Sequence, residues 1–128
     1  MHSSFLVDTD VFIDFFRDSE LANQFLSACF PEVYVSVVTV AELFSGVRGR
    51  RERELLANTL ASCKILDVTK EIAELGGAFR MEYRKSYSLD LPDALIAATA
   101  KTYNLPLATL HKKHYPMFPN LKAPYKKA

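Results

Sequence analysis

The chain alternates short apolar runs with longer stretches in which apolar residues recur every three or four positions. Phe5-Leu-Val-Asp8, Val33-Tyr-Val-Ser36, Ile65-Leu-Asp-Val68 and Leu107-Ala-Thr109 read as four short buried strands. Between them lie helical patterns. Val11 to Phe16 forms one, and Leu21 to Phe30 forms a second, capped by Asp18 or Ser19 and stopped before Pro31. Val38 to Arg48 is a third, with Val40, Leu43, Phe44 and Val47 on one side and Gly49 as its stop. Arg51 to Ala61 follows, with Leu55, Leu56 and Leu60 facing inward, then Lys70 to Tyr87, and finally the alanine-rich Pro92 to Tyr103 with proline at its first position. Gly76-Gly77 interrupts the long pattern, each glycine costing about 1 kcal/mol relative to alanine in a helix, and close packing against another helix is one reason to keep them.

Strands separated by helices imply right-handed crossovers and a parallel sheet covered on both faces. The expected architecture is therefore α/β, a three-layer α/β/α domain with a central parallel sheet of four to five strands. With 128 residues, 49% hydrophobic and 24% charged, one core is expected over residues 1–128, with a C-terminal tail from about 117. No apolar run approaches the roughly 18 residues needed to span a bilayer, and the first residues lack the basic and apolar regions of an export signal, so a cytoplasmic protein is expected. Cys29 and Cys63 have no CxxC spacing and suggest neither zinc nor a disulfide.

The net charge of +1 conceals a segregation of signs. Lys112, Lys113, Lys122, Lys126 and Lys127 lie in residues 111–128 without an acid, which leaves 11 basic and 15 acidic residues before them, a balance of −4. Arg48, Arg50, Arg51 and Arg53 make a second basic cluster, diluted by Glu52 and Glu54. Such rims suit a polyanion held by its phosphates, and they equally suit a solvated face with a frayed lysine tail.

In open parallel sheets the ligand crevice lies beyond the carboxyl ends of the strands. Asp8 ends the first strand, where it serves either as a ligand or as a helix cap. Glu42 either closes a capping box with Thr39 or lies inside a helix beginning at Ser36, where its charge needs another reason. Asp93 falls in the first turn of the alanine-rich helix, a place the helix dipole already favours for an acid; Asp90 shares that ambiguity. Asp10 and Asp14 read as capping or surface residues. Three acids converging on one sheet edge repel one another unless a cation offsets them, and Mg²⁺ or Mn²⁺ is the hard, oxygen-seeking choice.

Three blocks carry a resemblance: Phe5-Leu-Val-Asp8-Thr-Asp-Val-Phe-Ile-Asp14, Val38-Thr-Val-Ala-Glu42-Leu-Phe-Ser-Gly46, and Leu91-Pro-Asp93-Ala-Leu-Ile-Ala-Ala98. Their order and spacing resemble the PIN-domain VapC toxins, from the N-terminus to Pro116-Met-Phe-Pro-Asn-Leu121. The resemblance implies a PIN fold and metal-dependent endoribonuclease activity on single-stranded or looped RNA, transfer RNA included. It also implies a small VapB-like antitoxin and a homodimer. Asp8, Glu42 and Asp93 match the acidic positions, with Asp8 and Asp93 as metal ligands and Glu42 orienting or deprotonating the attacking water, and Thr109 matches a small hydroxyl residue after the last strand.

One departure stands out. The family often has an acid or asparagine just after that threonine, whereas this chain reads Leu110-His111-Lys112-Lys113. Asp90 is a candidate substitute, His111 a candidate metal or substrate contact, and Lys112 and Lys113 candidate RNA contacts. Two other functions stay open at this level: a PIN domain that has lost catalysis and binds RNA or a partner, and a phosphatase resembling the haloacid dehalogenases with Asp8 as nucleophile and Asp10 as acid. Phe12, Phe15, Phe16, Val40, Phe44 and Val47 suggest either core or a groove for an antitoxin segment.

Overall fold

The computed structural model describes residues 4–87 and 89–126. Four strands, β1 (Phe5–Val7), β2 (Val33–Ser36), β3 (Lys64–Leu66) and β4 (Leu107–Ala108), form one parallel sheet in the order β3-β2-β1-β4. The helices are α1 (Thr9–Phe16), α2 (Glu20–Cys29), α3 (Val37–Ser45), α4 (Gly49–Ala61), α5 (Lys70–Tyr87) and α6 (Leu91–Thr102), and Lys112–His114 makes one 3-10 turn.

Strand alternation divides the core in two. Val7, Val33, Val35 and Ala108 face the helices α1 to α4, where Val11, Phe12, Leu26, Leu43, Leu56 and Leu60 meet them. Leu6, Leu107, Tyr34 and Leu66 face the other way, onto Ala94, Ile96, Ala97 and Ala100 of α6. The result is the expected three-layer domain, because side chains one residue apart on a strand must leave opposite faces and each face needs a helical cover.

Several boundaries move for identifiable reasons. The Ser36 hydroxyl accepts from the Val38 N–H and caps α3, so that helix begins before Thr39 and ends at Ser45, with Gly46 as its C-cap. Gly49 does not stop a helix; with φ +81° it makes the left-handed turn that admits α4, a conformation glycine adopts without penalty. Leu55 is 53% exposed rather than inward-facing, while Leu56 and Leu60 are buried as expected. The tail is not frayed over its described length: Met117 is buried, and the Tyr125 hydroxyl donates to Asp14 Oδ2 at 2.7 Å while its ring packs against Phe25. His2 and Lys127 lie outside the described residues.

The paired glycines of α5 separate into two roles. A Cβ on Gly76 would stand 2.7 Å from Leu95 Cδ2 and 3.3 Å from Leu95 Cα, so the close approach of α5 to α6 depends on its absence. A Cβ on Gly77 would meet nothing within 4 Å among the described residues. Gly76→Ala is therefore expected to destabilise the fold by about 1–3 kcal/mol through overpacking, whereas Gly77→Ala should stabilise it by up to about 1 kcal/mol through helix propensity. Urea unfolding of the two variants should give opposite signs; equal effects would contradict this packing account.

Candidate active site

The strand order places β1 between β2 and β4, so the chain leaves β1 at the point where the connections diverge to either side, the place where open parallel sheets leave a crevice. Asp8 emerges there. It is both the N-cap of α1 and a buried carboxylate, 5% exposed, with Oδ1 accepting from the Thr9 N–H at 2.8 Å. Its other oxygen, Oδ2, faces two hydroxyls: Thr109 donates to it at 2.7 Å, and the Tyr115 hydroxyl lies 3.0 Å away. The helix cap thus engages only one of the two oxygens, and the other faces away from α1's first amide.

Asp93, in the first turn of α6, meets the same phenol, its Oδ1 lying 3.3 Å from the Tyr115 oxygen. Burial first, and then the charge of Asp8, push the Asp93 carboxyl up to about 6; Glu42 adds a smaller push in the same direction. Glu42 lies in the interior of α3 and closes no capping box with Thr39. Instead Oε1 accepts from the Thr9 hydroxyl at 2.6 Å, and that hydroxyl also lies 3.0 Å from the buried Thr39 hydroxyl. Asp8, Glu42 and Asp93, from three separate elements, are thereby gathered within one field of mutual repulsion.

Asp10 joins them, contrary to its reading as a cap or surface residue. The Leu110 N–H donates to its Oδ2 at 2.9 Å, the Thr109 hydroxyl lies 3.3 Å away, and Oδ1 is buried with no hydrogen-bond partner among the described residues. Burial and the neighbouring Asp8 push its carboxyl up to about 6. Asp14 is likewise not on the surface, being 8% exposed and bonded to Tyr125. Asp90, a candidate for the missing acid of the loop after β4, is exposed at the N-cap position of α6 and among the described residues makes no side-chain cap bond. Asp10 occupies that neighbourhood, beside Thr109 and Leu110.

Thr109 is fully buried and accepts from the His111 N–H while bonding Asp8, which orients the loop after β4. His111 Nε2 is 3.4 Å from Asp10 Oδ2, His114 Nδ1 is 3.6 Å from Asp93 Oδ2, and the two imidazoles stack at 5.3 Å. Lys112 and Lys113 are exposed between them, a basic lip beside an acidic floor. Tyr115 escaped the sequence reading because a tyrosine seven residues beyond a strand follows no periodic or spacing signal.

The acidic donors suit a hard divalent cation: carboxylate oxygens, two carboxyls whose ionisation is opposed by their surroundings, and on Asp10 a buried oxygen orphaned among the described residues, with the two imidazoles at their edge. Among the described residues no three His, Cys, Asp or Glu side chains close up into a metal-holding group by themselves. Two carboxylates with water and phosphate completing the shell is the ordinary arrangement for Mg²⁺.

Beside the acids runs a groove of about 510 Å³ between α1, α3 and α4, with Ile13, Phe16, Leu43, Val47 and Leu55 along it and Glu42 in its wall. Of the apolar residues expected there, only Phe16 and Val47 line it. Phe12 is fully buried, and Phe15, Val40 and Phe44 pack against the core.

Comparison with known proteins gives a consistent picture. A family model described as the PIN domain matches residues 5–115. Ribonuclease VapC10 of Mycobacterium tuberculosis is 40% identical over 123 residues, covering 94% of this chain and 92% of that protein. Ribonuclease VapC19 of the same organism is 36% identical over 124 residues, covering 94% and 98%. A toxin-antitoxin complex from Klebsiella pneumoniae contains a chain 33% identical with a TM-score of 0.84, covering 97% of this chain and all of that one.

The raised carboxyls have a consequence for stability. Below about pH 4 both folded and unfolded Asp93 are protonated; between that value and about 6 the folded chain holds a proton that the unfolded chain has lost, so stability falls as pH rises and the penalty is complete above about 6. In metal-free protein Asp93→Asn should raise Tm by on the order of 3 °C at pH 7.5 and leave it unchanged at pH 4. Thermal melts at both values check this, and a lower Tm for the variant at pH 7.5 would contradict it.

Proposed function

Since the chain belongs to the PIN-domain family, we propose that it is an endoribonuclease that hydrolyses RNA phosphodiester bonds with the aid of Mg²⁺ or Mn²⁺, acting as the toxin of a toxin–antitoxin pair. The convergence of Asp8, Glu42 and Asp93 from the end of β1, α3 and α6 supports this reading most strongly, since one buried and two half-buried acids so placed repel one another without a shared cation. Asp8 and Asp93 would hold the ion, through oxygens already facing each other across the Tyr115 phenol. When bound, such an ion lowers the pKa of a water and offsets charge developing on the phosphoryl oxygens.

Glu42, fixed by the Thr9 hydroxyl, is the group to orient that water and accept its proton. Asp10 adds negative charge beside Asp8 and locks the loop after β4 through the Leu110 N–H. Lys112 and Lys113 meet the RNA backbone as point charges, which position a strand without reading its sequence. Single-stranded or looped RNA, such as transfer RNA, is the substrate that such an open lip admits.

The toxin reading also assigns the groove between α1, α3 and α4. A segment of the cognate antitoxin lying along Ile13, Phe16 and Val47 would bury apolar surface and bring its end beside Glu42. Inhibition would then follow from occupying the approach to the acids. Among the described residues no helix is long and apolar enough to cross a membrane. The toxin reading takes the protein to act on cytoplasmic RNA, as a homodimer like that implied by the resemblance.

Asp8→Asn and Asp93→Asn should each lower RNA cleavage in Mg²⁺ or Mn²⁺ by on the order of 10²–10³, the scale of losing one preorganised electrostatic group. EDTA should abolish cleavage by the unaltered protein. Digestion of total RNA followed by mapping of the ends provides the measurement, and undiminished cutting by both variants would refute the assignment.

A further inference from the structure

Tyr115 meets both Asp8 and Asp93, and no consideration of packing alone requires its hydroxyl. The ring is 1% exposed, clustered with Leu6, Ile96 and Leu107 and edge-on to Phe118 with centroids 6.5 Å apart. Phenylalanine would fill that space without burying a polar atom, and a buried hydroxyl is costly unless hydrogen-bonded. Its bonding is therefore informative. A phenol keeps its proton at neutral pH, so beside two carboxylates this hydroxyl is the donor.

The two acids depend on it unequally. Asp8 also receives the Thr109 hydroxyl and the Thr9 N–H. For Asp93 the phenol, at 3.3 Å, is the only hydrogen-bond donor found among the described residues, the other polar neighbour being His114 Nδ1 at 3.6 Å. One proton shared between two carboxylates that repel each other, on a ring locked into the α6 side of the core, makes a strut of fixed length. We propose that Tyr115 is a positioning residue whose phenolic oxygen sets the separation of Asp8 and Asp93, and thereby governs how tightly the site takes up a divalent cation. This rests on the metal-dependent reading of the site.

The test is Tyr115→Phe, which keeps the ring and removes the strut. Mn²⁺ titration of metal-free protein by calorimetry should show a Kd raised about 10-fold over the unaltered chain, the scale of losing a group that orients metal ligands. RNA cleavage should need correspondingly more Mn²⁺ and recover when Mn²⁺ is saturating. A structural role alone would lower the Tm of the metal-free protein and leave the Kd in place. A Kd within about twofold of the unaltered chain, or cleavage that stays low at saturating Mn²⁺, overturns the proposal. If the unaltered chain takes up no Mn²⁺, the metal-dependent reading itself fails and the role of Tyr115 falls with it, so the two failures are told apart by which protein shows them.

Discussion

Like charges held together where water is scarce are the constraint around which this molecule is built. Asp8, Asp10, Asp93 and Glu42 lie at one rim of the sheet, and Asp10 and Asp93 resist ionisation because of burial and of the neighbouring Asp8. Hydroxyl and amide donors make the arrangement tolerable: Thr9 for Glu42, Thr109 and Tyr115 for Asp8, Tyr115 for Asp93, the Leu110 amide for Asp10. Each donor comes from a different part of the chain from the acid it serves, save the cap at Thr9. The metal-free site is thus a frame held under electrostatic stress, which a cation placed among the acids would relieve.

The rest of the architecture serves that frame. Parallel strands send their carboxyl ends to the same edge, so a residue just after β1, a residue just after β4 and a helix just after β2 arrive together without any long excursion. The Gly76 approach lets α5 lie close on α6, and α6 carries Asp93 in its first turn. On the opposite face, the groove between α1, α3 and α4 ends at Glu42, so the surface suited to a partner and the surface suited to chemistry share a wall.

Much of this could be read from the chain because strand ends and helix starts leave local marks. Asp8 follows an apolar triplet and Asp93 follows a proline at a helix start, and each mark survives without knowledge of the tertiary structure. Glu42 was legible as an acid on the right helix, but the Thr39 capping box competed with it until the Ser36 cap fixed where α3 begins. Asp10, Asp14 and Tyr115 were not legible as they stand in the fold. Their surroundings are created by the returning C-terminal segment, at 99 to 111 residues' separation for the bonds of Asp10, Asp8 and Asp14, and no periodicity encodes such a meeting. Leu55 failed in the opposite sense, since helical spacing predicts a face but not whether a neighbour covers it.

The segment after β4 does more than finish the domain. Within a few turns of chain it supplies the phenol between the acids and then crosses back to fasten on α1 through Tyr125 and Asp14. The stretch from Tyr115 to Tyr125 is in this way mechanically continuous with the centre of the domain, and both of its anchor points are side-chain bonds to carboxylates on or beside α1 and α6. Loosening the Tyr125 anchor, far from the acids along the chain, would here slacken the same span that holds them apart.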